Sequence, residues 1–120
     1  MPSEVRHLLF RLPEVALAIQ AYHRHLGQPL PSGLIVDCAV VGDGVAVPLA
    51  VRLAMHPDRG RGAASLITID GPTLTSALIM FCQHHQIPLP ARGKKSLQRV
   101  ADQICLISTL NQRPVPVSAP

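Results

Sequence analysis

The sequence predicts an α+β fold, in which an antiparallel sheet carries two helices on one face; a sheet split between two layers is the alternative. We expect the fold to consist of two tandem β-α-β-β repeats related by a pseudo-two-fold axis. Strand-like and helix-like patterns occur in the same order in both halves of the chain. In each half, a turn-forming segment divides a pair of apolar runs, as in a β-hairpin. A gapless shift of 59 residues also superimposes the two halves.

The composition is that of one folded domain. The chain has 120 residues, of which 48% are hydrophobic and 15% are charged, and its mean hydropathy is +0.28. Disordered chains have the opposite balance, so that class is excluded. We assign residues 1–112 to a single domain and the proline-rich residues 113–120 to a flexible tail.

The first repeat covers residues 5–56 approximately. An apolar run at 5–10 predicts a strand, and Pro13 and Gly27 suit the start and the end of a helix at 13–26. The large apolar residues of this helix recur every three or four positions, which predicts one buried stripe. They are Val15, Ile19, Tyr22 and Leu26. A hairpin follows, with arms at Leu34–Val41 and Val45–His56 around Gly42-Asp43-Gly44.

The second repeat, at about 64–110, follows a connection rich in glycine and arginine. Residues 64–69 predict a strand, and Asp70-Gly71-Pro72 opens a helix that runs to about Gln86. The arms of its hairpin are Ser96–Val100 and Gln103–Thr109, on either side of Ala101-Asp102. The second repeat is therefore predicted to have the same order of elements as the first.

The 59-residue shift aligns residues that have particular backbone roles. The alternative to duplication is that the halves are unrelated, because any two strand-helix-hairpin segments share apolar periodicity, and this accounts for part of the match. A shared Pro-Leu-Pro turn and a shared helix-opening proline favour duplication. The coinciding residues include Pro13 with Pro72, Pro29-Leu30-Pro31 with Pro88-Leu89-Pro90, Asp43 with Asp102, Val45 with Ile104, and Tyr22 with Phe81. We expect Tyr22 and Phe81 to be largely buried anchors.

The net charge of +4 comes entirely from the second half of the chain, since residues 1–59 sum to zero. The basic residues of its hairpin are Arg92, Lys94, Lys95 and Arg99. They predict a contact with an anionic partner, either an acidic protein surface or the phosphates of a nucleic-acid duplex. The alternative is that these cations protect an exposed sheet edge against aggregation.

The second helix is apolar around more of its circumference than the first. Ile79 and Met80 stand where the first helix has Gln20 and Ala21. Central burial explains this difference, and a surface for a partner or for a homodimer is the functional alternative.

Catalytic and cofactor sites are not predicted. Cys82 and His85 share a helix face, but His84 does not, and a closed zinc site needs four ligands. The sequence lacks a phosphate-binding glycine loop and an HExxH motif. We therefore expect no metal, no cofactor and no enzymatic activity.

The expected location is the cytoplasm. Three cysteines without a CxxC pair do not suggest a disulfide framework, and charged residues interrupt the first apolar run. No segment offers eighteen apolar residues for a membrane span. The sequence hypothesis is a bacterial-type regulatory or adaptor protein that binds a protein through its second repeat, with duplex nucleic-acid binding as the alternative. The predicted contact residues are Arg92, Lys94, Lys95, Arg99, Ile79 and Met80.

Overall fold

A computed structural model describes residues 3–28, 30, 33–57, 65–89 and 93–111. The elements follow one another in the order β-α-β-β-β-α-β-β. They are β1 (Ser3–Phe10), α1 (Leu12–His25), β2 (Leu34–Val41), β3 (Ala50–His56), β4 (Ser65–Asp70), α2 (Gly71–His84), β5 (Lys94–Val100) and β6 (Gln103–Asn111). The α+β class is confirmed. The predicted tail at 113–120 lies outside the described residues.

The strands form two separate antiparallel sheets rather than the single sheet that the sequence favours. One sheet has the order β1-β6-β5 and the other has the order β2-β3-β4. Each hairpin acquires its third strand from the opposite repeat, because β1 pairs with β6 and β4 pairs with β3. Both hairpins are completed in this way, and in the described part of the chain β2 and β5 each remain at a sheet edge. Periodicity identifies strands but carries no information about which strands pair.

Apolar residues at matching places in the two helices build the centre of the core. Val15, Ala18 and Ile19 of α1 and the residues 59 positions later in α2 are all fully buried. The later residues are Leu74, Ala77 and Leu78. The two helices pack against each other, and the central strands β3 and β6 contribute further buried residues. The strand contribution includes Val51, Leu53, Ile104 and Leu106.

Tyr22 and Phe81, the expected anchors, are neither fully buried nor exposed. Both are half-buried and pack against the edge of the core. The Phe81 ring meets the Phe10 ring edge to face at a centroid distance of 5.8 Å, which links α2 to β1.

The ends of the two helices have the same hydrogen-bond pattern. In α1, the Gln28 N–H donates to the His23 carbonyl, and Gly27 has a φ of +71°. In α2, the Ile87 N–H donates to the Cys82 carbonyl, and Gln86 has a φ of +55°. This is the Schellman arrangement, in which a left-handed residue ends the helix and glycine is favoured. Gln86 therefore carries a backbone strain that Gly27 does not.

The first hairpin departs from the gapless alignment. Its loop occupies residues 42–49, whereas residues 101–102 join β5 to β6. The predicted strand at 45–49 is wrong: Val45 is 92% exposed, although its aligned residue Ile104 is fully buried. Strand pairing makes Val51 the counterpart of Ile104. Val51 pairs with Ile69 and Ile104 pairs with Phe10, and Phe10 and Ile69 are themselves 59 positions apart.

Backbone hydrogen bonds to Asp43 explain why this loop leaves the strand. The carboxylate of Asp43 accepts the N–H groups of Val45 at 2.8 Å and Val47 at 2.9 Å. These bonds hold the pKa of Asp43 below its ordinary value. A Cβ at Gly42, whose φ is +82°, would overlap the Pro48 carbonyl. Local turn chemistry overrides the alternation of the sequence here.

The order β-α-β-β thus occurs twice, and the helices correspond at the predicted spacing. A common origin of the two repeats stays a prediction, because the hairpins differ in loop length. The pseudo-two-fold relation also stays a prediction.

Replacing Gln86 by glycine should stabilise the domain. Glycine adopts the left-handed conformation without a Cβ clash, and the gain should be about 0.5–1 kcal/mol after the higher entropy of the unfolded chain is counted. Urea unfolding measures this gain. The matched control is Gln83→Gly inside α2, which should destabilise by up to ~1 kcal/mol. Equal effects of the two substitutions would contradict the assignment of strain to Gln86.

Candidate functional site

The predicted basic surface is divided between the two faces of β5. Lys95, Leu97 and Arg99 pair with Ser108, Leu106 and Ile104 of β6, which are buried. Paired residues share a face of the sheet, so Lys95 and Arg99 flank Leu97 on the side of the core. Lys94 lies on the opposite face and is exposed. Arg92 lies outside the described residues.

Arg99 makes hydrogen bonds within the chain. Its Nε donates to the Ala101 carbonyl at 2.8 Å, and its Nη1 donates to the Gly42 carbonyl at 3.3 Å. The second bond joins the loop of one sheet to the edge strand of the other. Lys95 Nζ donates to the Gly93 carbonyl at 3.3 Å. Reversing the charge of Arg99 would therefore disturb the fold as well as any partner contact.

The two apolar residues predicted to contact a partner lie at the core. Met80 is 8% exposed, and Ile79 is half-buried and packs against the core cluster. The position of Met80 agrees with the alternative of central burial.

An apolar groove lies between α1 and the edge strand β2. Its volume is about 590 Å³. Leu17 and Val36, on its two sides, are 60% and 57% exposed. Among the described residues that line it, Asp37 alone carries a formal charge. The lining residues are Leu12, Pro13, Ala16, Leu17, Gln20, Ile35, Val36, Asp37 and Cys38.

The α1–β2 groove arises from a local irregularity in β2. The register with β3 shifts between Ile35 and Asp37, so Val36 is an extra residue in the strand. Such a bulge redirects side chains from the sheet and bends the strand. It accounts for the exposure of Val36. The feature of the sequence that could have indicated the bulge is the run of three consecutive apolar residues at 34–36.

A second groove runs between α1 and the end of α2, on the other side of Leu17. Its volume is about 540 Å³. Its wall on α2 includes Phe81 and His85, whose rings stack at a centroid distance of 4.1 Å. The lining residues are Glu14, Leu17, Gln20, Ala21, Arg24, Phe81, His84 and His85.

The cysteines are poor nucleophiles at neutral pH. Burial and, to a smaller extent, the negative charge of Asp37 raise the pKa of the Cys38 thiol to about 11. Burial also raises the pKa values of Cys82 and Cys105. Nucleophilic attack requires the thiolate, so these environments oppose it. The part of the chain that the structure describes contains no group of three or more His, Cys, Asp or Glu residues placed to hold a metal ion.

Comparison with known proteins gives no assignment: no family model, curated protein or solved structure matches the chain. Neither of the two described helices has the length and apolar character needed to cross a membrane.

Alkylation should report the raised pKa of Cys38. With a pKa of about 11 rather than 9.0, the thiolate fraction at pH 8.5 falls roughly a hundredfold. Iodoacetamide labelling followed by peptide mass spectrometry should therefore be much slower in native protein than in urea. Asp37→Asn should increase the native rate modestly, because its charge is the smaller cause.

The same shift fixes the sign of the pH dependence. The folded-state pKa is raised, so the Cys38 contribution to stability is complete below about pH 9 and is lost as the pH rises towards 11. Native labelling at pH 8.5 as fast as labelling in urea would show that the thiol is not protected.

Proposed function

We propose that this chain is a small non-enzymatic regulatory or adaptor protein that binds a segment of another protein in the α1–β2 groove. The observation that carries the proposal is the largely apolar α1–β2 groove, which has one carboxylate in its wall and lies beside β2, an edge strand among the described residues. The partner segment that fits this chemistry has apolar side chains and a lysine or arginine.

Burial of the groove supplies the apolar part of the binding free energy. Leu17 and Val36 are largely exposed in the free protein, and apolar area removed from water contributes about 25 cal/mol per Å². Two such side chains on opposite walls can hold one apolar side chain between them. An aromatic or aliphatic anchor in a desolvated pocket is the usual centre of a protein interface.

Asp37 supplies the polar part of the recognition. It is exposed, and in the described part of the chain its carboxylate forms no hydrogen bond or ion pair. Its acidic charge in an otherwise uncharged wall selects a cation and opposes an acid.

The free edge of β2 offers a second mode of contact. Within the described residues, β2 pairs with β3 on one side only, and residues after the Val36 bulge are regular. An extended partner segment can add to such an edge through main-chain hydrogen bonds while its side chains enter the neighbouring groove.

The basic second hairpin has a subsidiary role in this proposal. The exposed Lys94 can steer an acidic region of the same partner, whereas Arg99 is engaged within the chain. Duplex nucleic-acid binding needs several cations directed at phosphates, and the division of this hairpin between two faces disfavours it. A salt titration distinguishes the two functions, because duplex affinity falls steeply with salt.

A cytoplasmic location accords with this role. The three cysteines are free thiols, which are typical of proteins in a reducing compartment. They are Cys38, Cys82 and Cys105. We propose that location on this basis.

Selection from a random peptide display library tests the groove. Wild-type protein should enrich peptides with apolar residues and a lysine or arginine. The Asp37→Lys variant should instead enrich peptides in which aspartate or glutamate takes the place of the lysine or arginine, because the sign of the wall charge is reversed. Sequencing of the enriched pools measures the change.

Asp102→Lys is the matched control, since Asp102 is an exposed aspartate in the β5–β6 turn and lies outside the groove. It should leave the selected motif unchanged. Lys94→Glu tests the second hairpin in the same assay. An identical motif for wild type and Asp37→Lys, or no enrichment with wild type, would overturn the proposed function.

A further inference from the structure

Four residues on the side of α1 away from its core stripe line the groove between the helices. Glu14, Leu17, Ala21 and Arg24 all line this groove and are spaced by three, four and three residues. That spacing is the a-d-a-d pattern of a coiled-coil seam. The core stripe of the same helix lies at Val15, Ala18 and Ile19, on another side of its circumference. We call the four outward residues the α1 seam.

We infer that the α1 seam binds the α1 seam of a second copy of this chain, with the two helices antiparallel. In this arrangement Glu14 meets Arg24 of the second copy, and Leu17 meets Ala21 of the second copy. A two-fold axis at the level of position 19, midway between positions 14 and 24, repeats each contact, so two ion pairs and two apolar contacts form together.

Charge complementarity identifies the occupant. The seam has an acid at one end and an arginine at the other, ten residues apart. An antiparallel copy places opposite charges together at both ends, whereas a parallel copy places Glu14 beside Glu14 and Arg24 beside Arg24. Like charges in contact disfavour the parallel arrangement. The surface is therefore complementary to itself in one orientation.

The shapes of the side chains also fit this orientation. Leu17 projects from the helix, with 60% of its surface exposed, and Ala21 is small. A large residue facing a small one allows neighbouring layers to interdigitate. Phe81 and His85 of α2 form the side of the groove that the second helix would enter.

Existing contacts leave the charged groups accessible. Glu14 Oε1 accepts the Arg11 N–H at 3.1 Å, and a carboxylate can accept further hydrogen bonds. Arg24 is exposed, and the described part of the chain provides it with no hydrogen bond or ion pair. The seam therefore does not need to break a contact within the chain before it associates.

This inference is independent of the proposed function. Glu14 and Arg24 do not line the α1–β2 groove, and Asp37 does not line the groove between the helices. The two grooves share Leu17 and Gln20, so a second copy on the seam and a segment in the α1–β2 groove would both contact Leu17. For that reason the tests change the charged residues rather than Leu17.

Sedimentation velocity of two charge reversals tests the dimer. Wild-type protein should show a concentration-dependent dimer, measured up to several hundred micromolar because an interface of this size is weak. Glu14→Arg gives a seam with two arginines, and Arg24→Glu gives a seam with two glutamates. Each variant alone should dimerise at least ~10-fold more weakly than wild type, because both ion pairs become repulsive.

Mixing the two variants supplies the rescue. Glu14→Arg and Arg24→Glu should form a mixed dimer with both ion pairs restored, with an affinity near that of wild type. The double variant carrying both substitutions should also regain self-association. A general loss of folding cannot produce either recovery.

Glu14→Gln controls for the helix cap, since glutamine retains an oxygen that can accept the Arg11 N–H. It should weaken the dimer less than Glu14→Arg while leaving the circular dichroism spectrum unchanged. Leu66→Gln is an apolar control, because Leu66 is an exposed leucine on β4 and does not line the groove between the helices. It should not change the dimer.

A wild-type protein that stays monomeric at every concentration would overturn the inference. So would a wild-type dimer that persists in both charge reversals without preference for the mixed pair, because another surface would then form it. Neither result bears on the peptide selection at Asp37, so the two proposals fail separately.

Discussion

The exchange of first strands between the repeats is the constraint on which this structure depends. Without β4, the first hairpin would be a two-stranded ribbon, and without β1 the second hairpin would be the same. Isolated ribbons of this kind have marginal stability in water. The exchange gives each hairpin a third strand and ties α1 and α2 together, because each helix follows a strand of one sheet and precedes a strand of the other. The apolar contact between the helices then closes the core.

Much of this fold could be predicted because its local signals agree. Pro72 and Asp70 marked the start of α2, and Asp70 indeed accepts the Thr73 N–H as a helix cap. The alternation of residues 45–56 was misleading in its first part, where Asp43 draws the backbone into a loop. Strand exchange could not be predicted, since it follows from contacts between residues far apart in the sequence. Pairing, unlike periodicity, is a property of the whole chain.

The candidate surfaces were harder to predict than the core. Lys95 and Arg99 were identified as cations, but their sheet face depends on pairing with buried residues of β6. Leu17 and Val36 were overlooked because a single apolar residue outside a helical stripe, or one residue within an apolar run, usually has no special meaning. Their significance comes from the bulge in β2, which places them on opposite walls of one groove. A sequence shows the chemical type of each residue, whereas only the fold shows which residues lie together.

The pairing of β1 with β6 also sets the order of events during synthesis. Phe10 and Ile104 are paired neighbours although 94 positions separate them. At roughly 5–20 residues per second, a ribosome needs about 5–20 s to make the intervening chain. Throughout that interval β1 has been made but its partner strand has not, and its main-chain groups and apolar residues lack their native cover. Until β6 has been made, the first strand of a nascent chain therefore presents an edge that is open to pairing with other strands.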